Sequence, residues 1–308
     1  MQLSLLICAA LLAGCAITPT QEVVVRSPSP EEAANGREVS VAHARQFDIT
    51  SKINGRTYRI MVATPASSPA GINHPVLYVL DGNQYFGTAS EAVRLQSHFN
   101  ADLVRPAIVV GVGYQTDDLS TVARERALDL TPSLSKDPKR SGQYGGGPVF
   151  ARVLEEEIKP FVNARFSVDP LQQTIWGHSF GGLFVLHTML TNPTAYSTYI
   201  LSSPSIWWND REPLNAEQDF SLRVQSGELR MKVLITSAAN EQYRGPDPVR
   251  LARAASRLVD NASELADRLS RVSPKTLLVE RVIFEGEIHN TVPPASLSRA
   301  LRFALPPK

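Results

Sequence analysis

The segment Trp176-Gly177-His178-Ser179-Phe180-Gly181-Gly182 carries the pattern Gly-x-Ser-x-Gly. A short apolar run over Thr174–Trp176 precedes it and a helical pattern over Gly181–Leu190 follows. In that strand-turn-helix setting a serine is driven outward as a nucleophile. The turn is tight enough to strain the serine backbone, and Gly177 and Gly181 let neighbouring main chain pass without a side chain in the way. A helix starting near Phe180 aims its first amides at the hydroxyl and favours the negative charge that develops when an acyl group is attacked. The chemistry on offer is acyl transfer through Ser179.

A serine nucleophile needs a base, and in a strand-elbow-helix protein the histidine follows nucleophile and acid, in the loop after the last strand. His43, His74 and His98 precede the elbow, His178 is part of it, and His187 lies two helical turns beyond. His289, in Glu285-Gly286-Glu287-Ile288-His289-Asn290, follows an apolar run over Leu277–Phe284 and is the expected base. The acid should follow the run Val233–Thr236. Glu241 in Ala238-Ala239-Asn240-Glu241-Gln242 is the candidate, Asp247 lies further along, and a Ser–His dyad is the alternative. The backbone N–H of Phe180 and that of Asn83, in Asp81-Gly82-Asn83 after the run Val76–Leu80, are the expected oxyanion donors, with Asp81 capping amides of that turn.

Elements able to hold these residues can be read from the rest of the chain. Ala44–Thr50 and Arg56–Thr64 flank Asn54-Gly55, a pair suited to a tight hairpin turn, and make an antiparallel start. Val76–Leu80, Ala107–Val112, Thr174–Trp176, Tyr199–Leu201, Val233–Thr236 and Leu277–Phe284 read as buried parallel strands. Helical patterns lie at about Tyr85–Asn100, Val149–Phe161, Gly181–Leu190, Pro248–Arg271 and Pro293–Phe303. The alternation predicts an α/β-hydrolase fold: a mostly parallel central sheet flanked by helices, with antiparallel N-terminal strands. Tyr114–Gly147, rich in charge, Gly and Pro, is expected to be a long lid or binding loop without regular structure.

The 308 residues, 43% of them apolar, suffice for a large core, and 31 basic against 30 acidic residues leave a net charge of +1. Such a balance disfavours nucleic acid as a partner. Residues 1–15 read as an export signal, and Leu12-Ala13-Gly14-Cys15 resembles a bacterial lipobox, which would put a lipid on Cys15. Residues 16–40, with Ser27-Pro28-Ser29-Pro30, read as a flexible tether and 41–308 as the catalytic domain. The expected location is the periplasm, with membrane contact only through that anchor. Both cysteines, Cys8 and Cys15, fall in the signal segment, so neither a disulfide nor a thiolate metal site is expected, and no cofactor is implied.

The chain resembles the esterase family that includes the periplasmic enterobactin and salmochelin esterases and, more distantly, the mycolyl transferases. The resemblance spans most of residues 41–308. It rests on Val76-Leu77-Tyr78-Val79-Leu80-Asp81-Gly82-Asn83, Val110-Gly111-Val112-Gly113-Tyr114, Arg126-Ala127-Leu128-Asp129-Leu130-Thr131-Pro132, the elbow, Ser202-Ser203-Pro204-Ser205-Ile206-Trp207-Trp208, and the His289 loop running into Ser296-Leu297. It implies that Ser179 and His289 are catalytic, that the amide at Asn83 completes the oxyanion hole, and that a conventional triad acid can be absent. The substrate expected from it is a small ester, such as the lactone backbone of a ferric catecholate siderophore. A generic esterase of small acyl or feruloyl-type esters and a lipid-tethered binding protein without turnover are the other readings. Trp207 and Trp208 are expected either to wall the acyl site or to fill the core, and Arg126, in the charged lid, to contact substrate or to fold the lid with Asp129.

Overall fold

The computed structural model describes residues 39–66, 71–140, 142–242, 245 and 256–307. Cys15 and the signal segment, nearly all of the tether, and Asp247 lie outside the described residues. Residues 40–308 form one unit.

Eight strands make one sheet: β1 (Ala44–Thr50), β2 (Thr57–Ala63), β3 (His74–Leu80), β4 (Ile108–Tyr114), β5 (Val168–His178), β6 (Thr198–Ser202), β7 (Met231–Ala238) and β8 (Leu277–Phe284). Their order is β1-β2-β4-β3-β5-β6-β7-β8. The β1–β2 and β2–β4 pairs are antiparallel and all others parallel. The hairpin forms around Gly55 at φ 72°, a left-handed value that glycine adopts without a Cβ penalty. β3, β4 and β6 are buried along their whole length, as continuous apolar runs require when both faces are covered. β8, at the edge of the sheet, is buried only in part.

The helices are α1 (Gly82–Phe99), α2 (Leu119–Asp129), α3 (Gly147–Val153, a π-helical turn Leu154–Ile158, and Lys159–Asn163), α4 (Phe180–Thr191), α5 (Glu217–Gln225), α6 (Leu258–Leu269) and α7 (Val292–Ala304). Side chains alternate across each strand. Leu77, Val79, Trp176 and Leu234 therefore pack with α1 and α7. Val76, Tyr78, Ile175 and Val233 pack on the other face with α3, α4, α5 and α6. This is the α/β-hydrolase arrangement expected from the pattern of runs.

The segment Tyr114–Gly147 departs from its expectation, because it contains α2. Asp118 caps that helix, accepting from the Thr121 amide at 2.8 Å. Arg56 of the hairpin pairs with Glu125 and with the buried Asp129. The C-terminal part is folded on itself: Thr131 Oγ1 donates to the Ala127 carbonyl at 2.7 Å and accepts from the Gly145 amide at 2.8 Å. Sparse apolar periodicity hides a helix whose anchoring is by ion pairs.

Candidate active site

Adjacent strands bring the chemistry to one edge of the sheet. β3, β5, β7 and β8 are parallel members of that sheet, so the residues following them emerge at their common C-terminal end. Ser179 stands between β5 and α4 with φ 59° and ψ −115°, a strained conformation for a residue with a side chain. Its amide donates to the Ser202 carbonyl at 3.0 Å and its carbonyl accepts from Leu183 at 2.9 Å. A Cβ at Gly177 would collide with the Gly181 carbonyl, and one at Gly182 would stand 2.9 Å from both the Ser202 carbonyl and Pro204. Glycine at these points lets the elbow pack directly on β6.

Ser179 Oγ lies 3.0 Å from His289 Nε2, and His289 Nδ1 lies 2.9 Å from Glu241 Oε2. The Glu241 side chain is closed to solvent, whereas that of His289 is 31% exposed. The other carboxylate oxygen accepts from the Ala238 amide at 3.1 Å, so Glu241 is held from both ends. The Asn240 amide donates to the Glu287 carbonyl at 3.0 Å, tying the two loops together. Behind them, Trp176 Nε1 and Thr236 Oγ1 both reach Ser296 Oγ, at 3.2 Å and 2.9 Å, which docks α7 and the turn before it on the sheet.

Both expected oxyanion donors belong to helix first turns, where amides have no intrahelical acceptor. Phe180 opens α4 and Asn83 is second in α1, on neighbouring strands β5 and β3. The Asn83 side chain braces that corner: Nδ2 donates to the carbonyls of Tyr114 and Thr116 at 2.9 Å and 2.8 Å, and Oδ1 accepts from the Tyr114 amide at 2.6 Å.

Two expectations are corrected. Asp81 makes no side-chain cap to α1. It instead takes the guanidinium of Arg126 in a bidentate pair, 2.7 Å and 2.9 Å, with its own side chain fully buried. Arg126 is therefore turned inward, only 18% exposed, and pairs with Asp81 and not with Asp129, which Arg56 takes. Burial disfavours its charge, but the Asp81 carboxylate outweighs that and holds its pKa above the usual range. The Trp pair divides: Trp208 is buried, donating to Ser133 Oγ at 3.1 Å, while Trp207 is half-buried with its ring 6.2 Å from that of Phe180.

Three further residues stand near these side chains: His178 and Ser205, to which no role was assigned from the sequence, and Arg140, one of the cations of the charged Tyr114–Gly147 segment. The His178 ring packs 4.6 Å from that of His289, and its Nδ1 lies 3.2 Å from Ser202 Oγ. Ser205 Oγ stands 3.5 Å from Ser179 Oγ. Arg140 lies over Trp207 at 4.8 Å. The signal for Ser205 was its position just after the strand that pairs beside the elbow. Among the described residues, no group of three or more His, Cys, Asp and Glu side chains is placed to hold a metal.

Comparison with known proteins agrees with this architecture. The chain is 38% identical over 265 residues to the ferri-bacillibactin esterase BesA of Bacillus subtilis, covering 84% of this chain and 88% of that protein. It is 34% identical over 241 residues to a siderophore triacetylfusarinine C esterase of Aspergillus fumigatus, covering 74% and 80%. The crystal structure of the BES protein from Bacillus cereus superposes with a TM-score of 0.78 at 35% identity, over 88% of this chain and 98% of that one. The family described as Putative esterase matches residues 51–272, and the chain belongs to that family.

Proposed function

We propose that this protein is a serine hydrolase that cleaves ester bonds of a siderophore through an acyl-Ser179 intermediate. The observation that carries the reading is the hydrogen-bonded chain Ser179–His289–Glu241 at 3.0 Å and 2.9 Å on a strained elbow. His289 Nε2 takes the Ser179 proton as Oγ attacks the ester carbonyl, and Glu241 holds the Nδ1–H tautomer and balances the imidazolium. The Phe180 and Asn83 amides receive the oxyanion. Collapse expels the alcohol, which leaves with the proton from His289, and a water activated by the same imidazole releases the acid. Relatives named for siderophore esters support the substrate class, and the catecholate type is the member favoured here.

The N-terminal Leu12-Ala13-Gly14-Cys15 supports export with a lipid on Cys15 and a periplasmic location. Incorporation of labelled palmitate, abolished by Cys15→Ser, is the expected result.

The test of function is hydrolysis of ferric and iron-free enterobactin beside p-nitrophenyl butyrate. Siderophore cleavage that is faster than that of the simple ester and lost in Ser179→Ala is expected. Cleavage of the simple ester alone would replace this reading by a generic esterase, and turnover of neither would replace it by a binding protein.

A further inference from the structure

Ser179 Oγ has two side-chain neighbours at hydrogen-bonding distance, His289 Nε2 at 3.0 Å and Ser205 Oγ at 3.5 Å. The protons available fix the direction of each bond. The Glu241 carboxylate only accepts, so His289 carries its proton on Nδ1, and Nε2 accepts from the Ser179 hydroxyl. That commits the one proton of Ser179. Ser205 can therefore meet Ser179 Oγ only as a donor.

The main chain puts the Ser205 hydroxyl there. β6 ends at Ser202, whose carbonyl accepts from the Ser179 amide at 3.0 Å. Ser203 follows in the left-handed region, at φ 42°, with its amide on the Thr236 carbonyl at 2.8 Å. Backbone strain of this kind gathers at functional sites. Pro204 lies against Gly182 of α4, where an added Cβ would stand 2.9 Å from it. The Ser205 amide then donates to the Ser179 carbonyl at 3.2 Å, and the Ser205 carbonyl accepts from the Trp208 amide at 3.1 Å. Ser205 is only 2% exposed, and the contact with Ser179 is the one hydrogen bond of its side chain among the described residues. At 3.5 Å that bond is long, as bonds between catalytic groups are before substrate arrives, and it tightens when charge collects on the acceptor.

We propose that Ser205 is a hydrogen-bond donor to Ser179 Oγ that assists its departure from the acyl-enzyme. This rests on the serine hydrolase reading of Ser179. In the free enzyme Oγ is a hydroxyl oxygen that already accepts from Ser205, so the bond lowers the ground state and the acylation transition state alike. In the acyl-enzyme Oγ is the bridging oxygen of an ester, a weak acceptor. Water adds to the acyl carbon as its proton passes to His289 Nε2. The bond from that carbon to Oγ then breaks, the electron pair stays on Oγ, and Oγ takes the proton from Nε2. Charge develops on Oγ during this expulsion, and the bond from Ser205 becomes charge-assisted. Ser205 keeps its own proton throughout. The bond is thus stronger in the deacylation transition state than in the state before it, which is the condition for accelerating that step.

The test is hydrolysis of saturating p-nitrophenyl butyrate, quenched with acid in the steady state and read by intact protein mass. The ratio of acylated to free enzyme equals the acylation rate constant divided by that of deacylation. In Ser205→Ala this ratio is expected to rise by about tenfold or more, the worth of one hydrogen bond to a developing charge. Ser205→Cys fills the same space with a weak donor and should rise with it, whereas Ser205→Thr keeps the hydroxyl and should stay within about threefold of wild type. A residue that only shapes the elbow would slow both steps together, because both use His289 and the oxyanion amides, and would leave the ratio unmoved. A ratio within about twofold of wild type in both the Ala and Cys variants, or no accumulation in either, would overturn the role of Ser205 and leave the acyl-Ser179 intermediate standing. If Ser205→Ala does not fold, Ser205→Cys decides alone. Absence of Ser179-dependent turnover in the wild type would overturn the hydrolase reading and the role of Ser205 with it.

Discussion

The imidazoles of His178 and His289 lie 4.6 Å apart, centroid to centroid, inclined at 41°. One is buried in the elbow and the other is partly open to solvent. Burial, then the charges of His289 and Arg126, hold His178 well below the usual histidine range. It therefore stays neutral through the usual histidine range. On the acid side, log kcat/KM should fall with a slope of one proton, that of the base. A slope of two would mean that His178 charges as well.

Glu241 decides between a triad and a dyad. Its carboxylate is closed to solvent and held by the Ala238 amide, so Glu241→Gln keeps the shape while removing the charge that stabilises the imidazolium. A fall in kcat of about 10²–10⁴-fold is expected from steady-state kinetics. A change of less than about threefold would show that His289 works without it.

Asp81 and Arg126 form a bidentate pair under the elbow, the carboxylate fully buried. Removing one partner leaves the other charge without compensation, which costs about 3–5 kcal/mol. Arg126→Leu should lower the urea midpoint accordingly, and Asp81→Asn should do the same. The double variant should lose less than the sum of the two, a cycle that measures their coupling.

Gly182 leaves no room for a side chain against Ser202 and Pro204. Gly182→Ala should cost about 1–3 kcal/mol by overpacking and also slow acylation, since α4 can yield only by moving Ser179. Calorimetry and the rate of inactivation by diisopropyl fluorophosphate would read the two effects. Normal stability with normal inactivation would contradict the packing.

Asp129 links acidity to stability. Burial raises its pKa to about 6 against the opposing pull of Arg56. Its folded value thus lies above its unfolded value, so between about pH 4 and about pH 6 the native state holds a proton that the unfolded chain has lost. The contribution is full below that window and is lost as pH rises through it. Asp129→Asn should remove this downward slope from the stability curve measured by denaturant titration. A slope unchanged in the variant would assign it to another group.

The elbow was legible because its signal is local: strand, glycine, serine, glycine and helix stand within one short segment, and the strain is imposed by that segment alone. His289 was legible from chain order. The continuous apolar runs marked the parallel strands for the same reason, since two covered faces leave no polar alternation.

What the tertiary structure decided is every relation that crosses the sheet. Glu241 and His289 are 48 residues apart, and Ser179 and His289 are 110 apart. Their meeting depends on which strands are neighbours. Arg126 read as a lid residue that contacts substrate or pairs with Asp129, because its sequence neighbours are charged, while its partner Asp81 lies 45 residues away in a buried turn. Trp207 and Trp208 are adjacent and alike in composition, yet the chain direction buries one and leaves the other at a cavity. A residue type and its spacing along the chain fix what chemistry is available. Strand order and burial, summed over contacts distant in sequence, select the side chains that perform it.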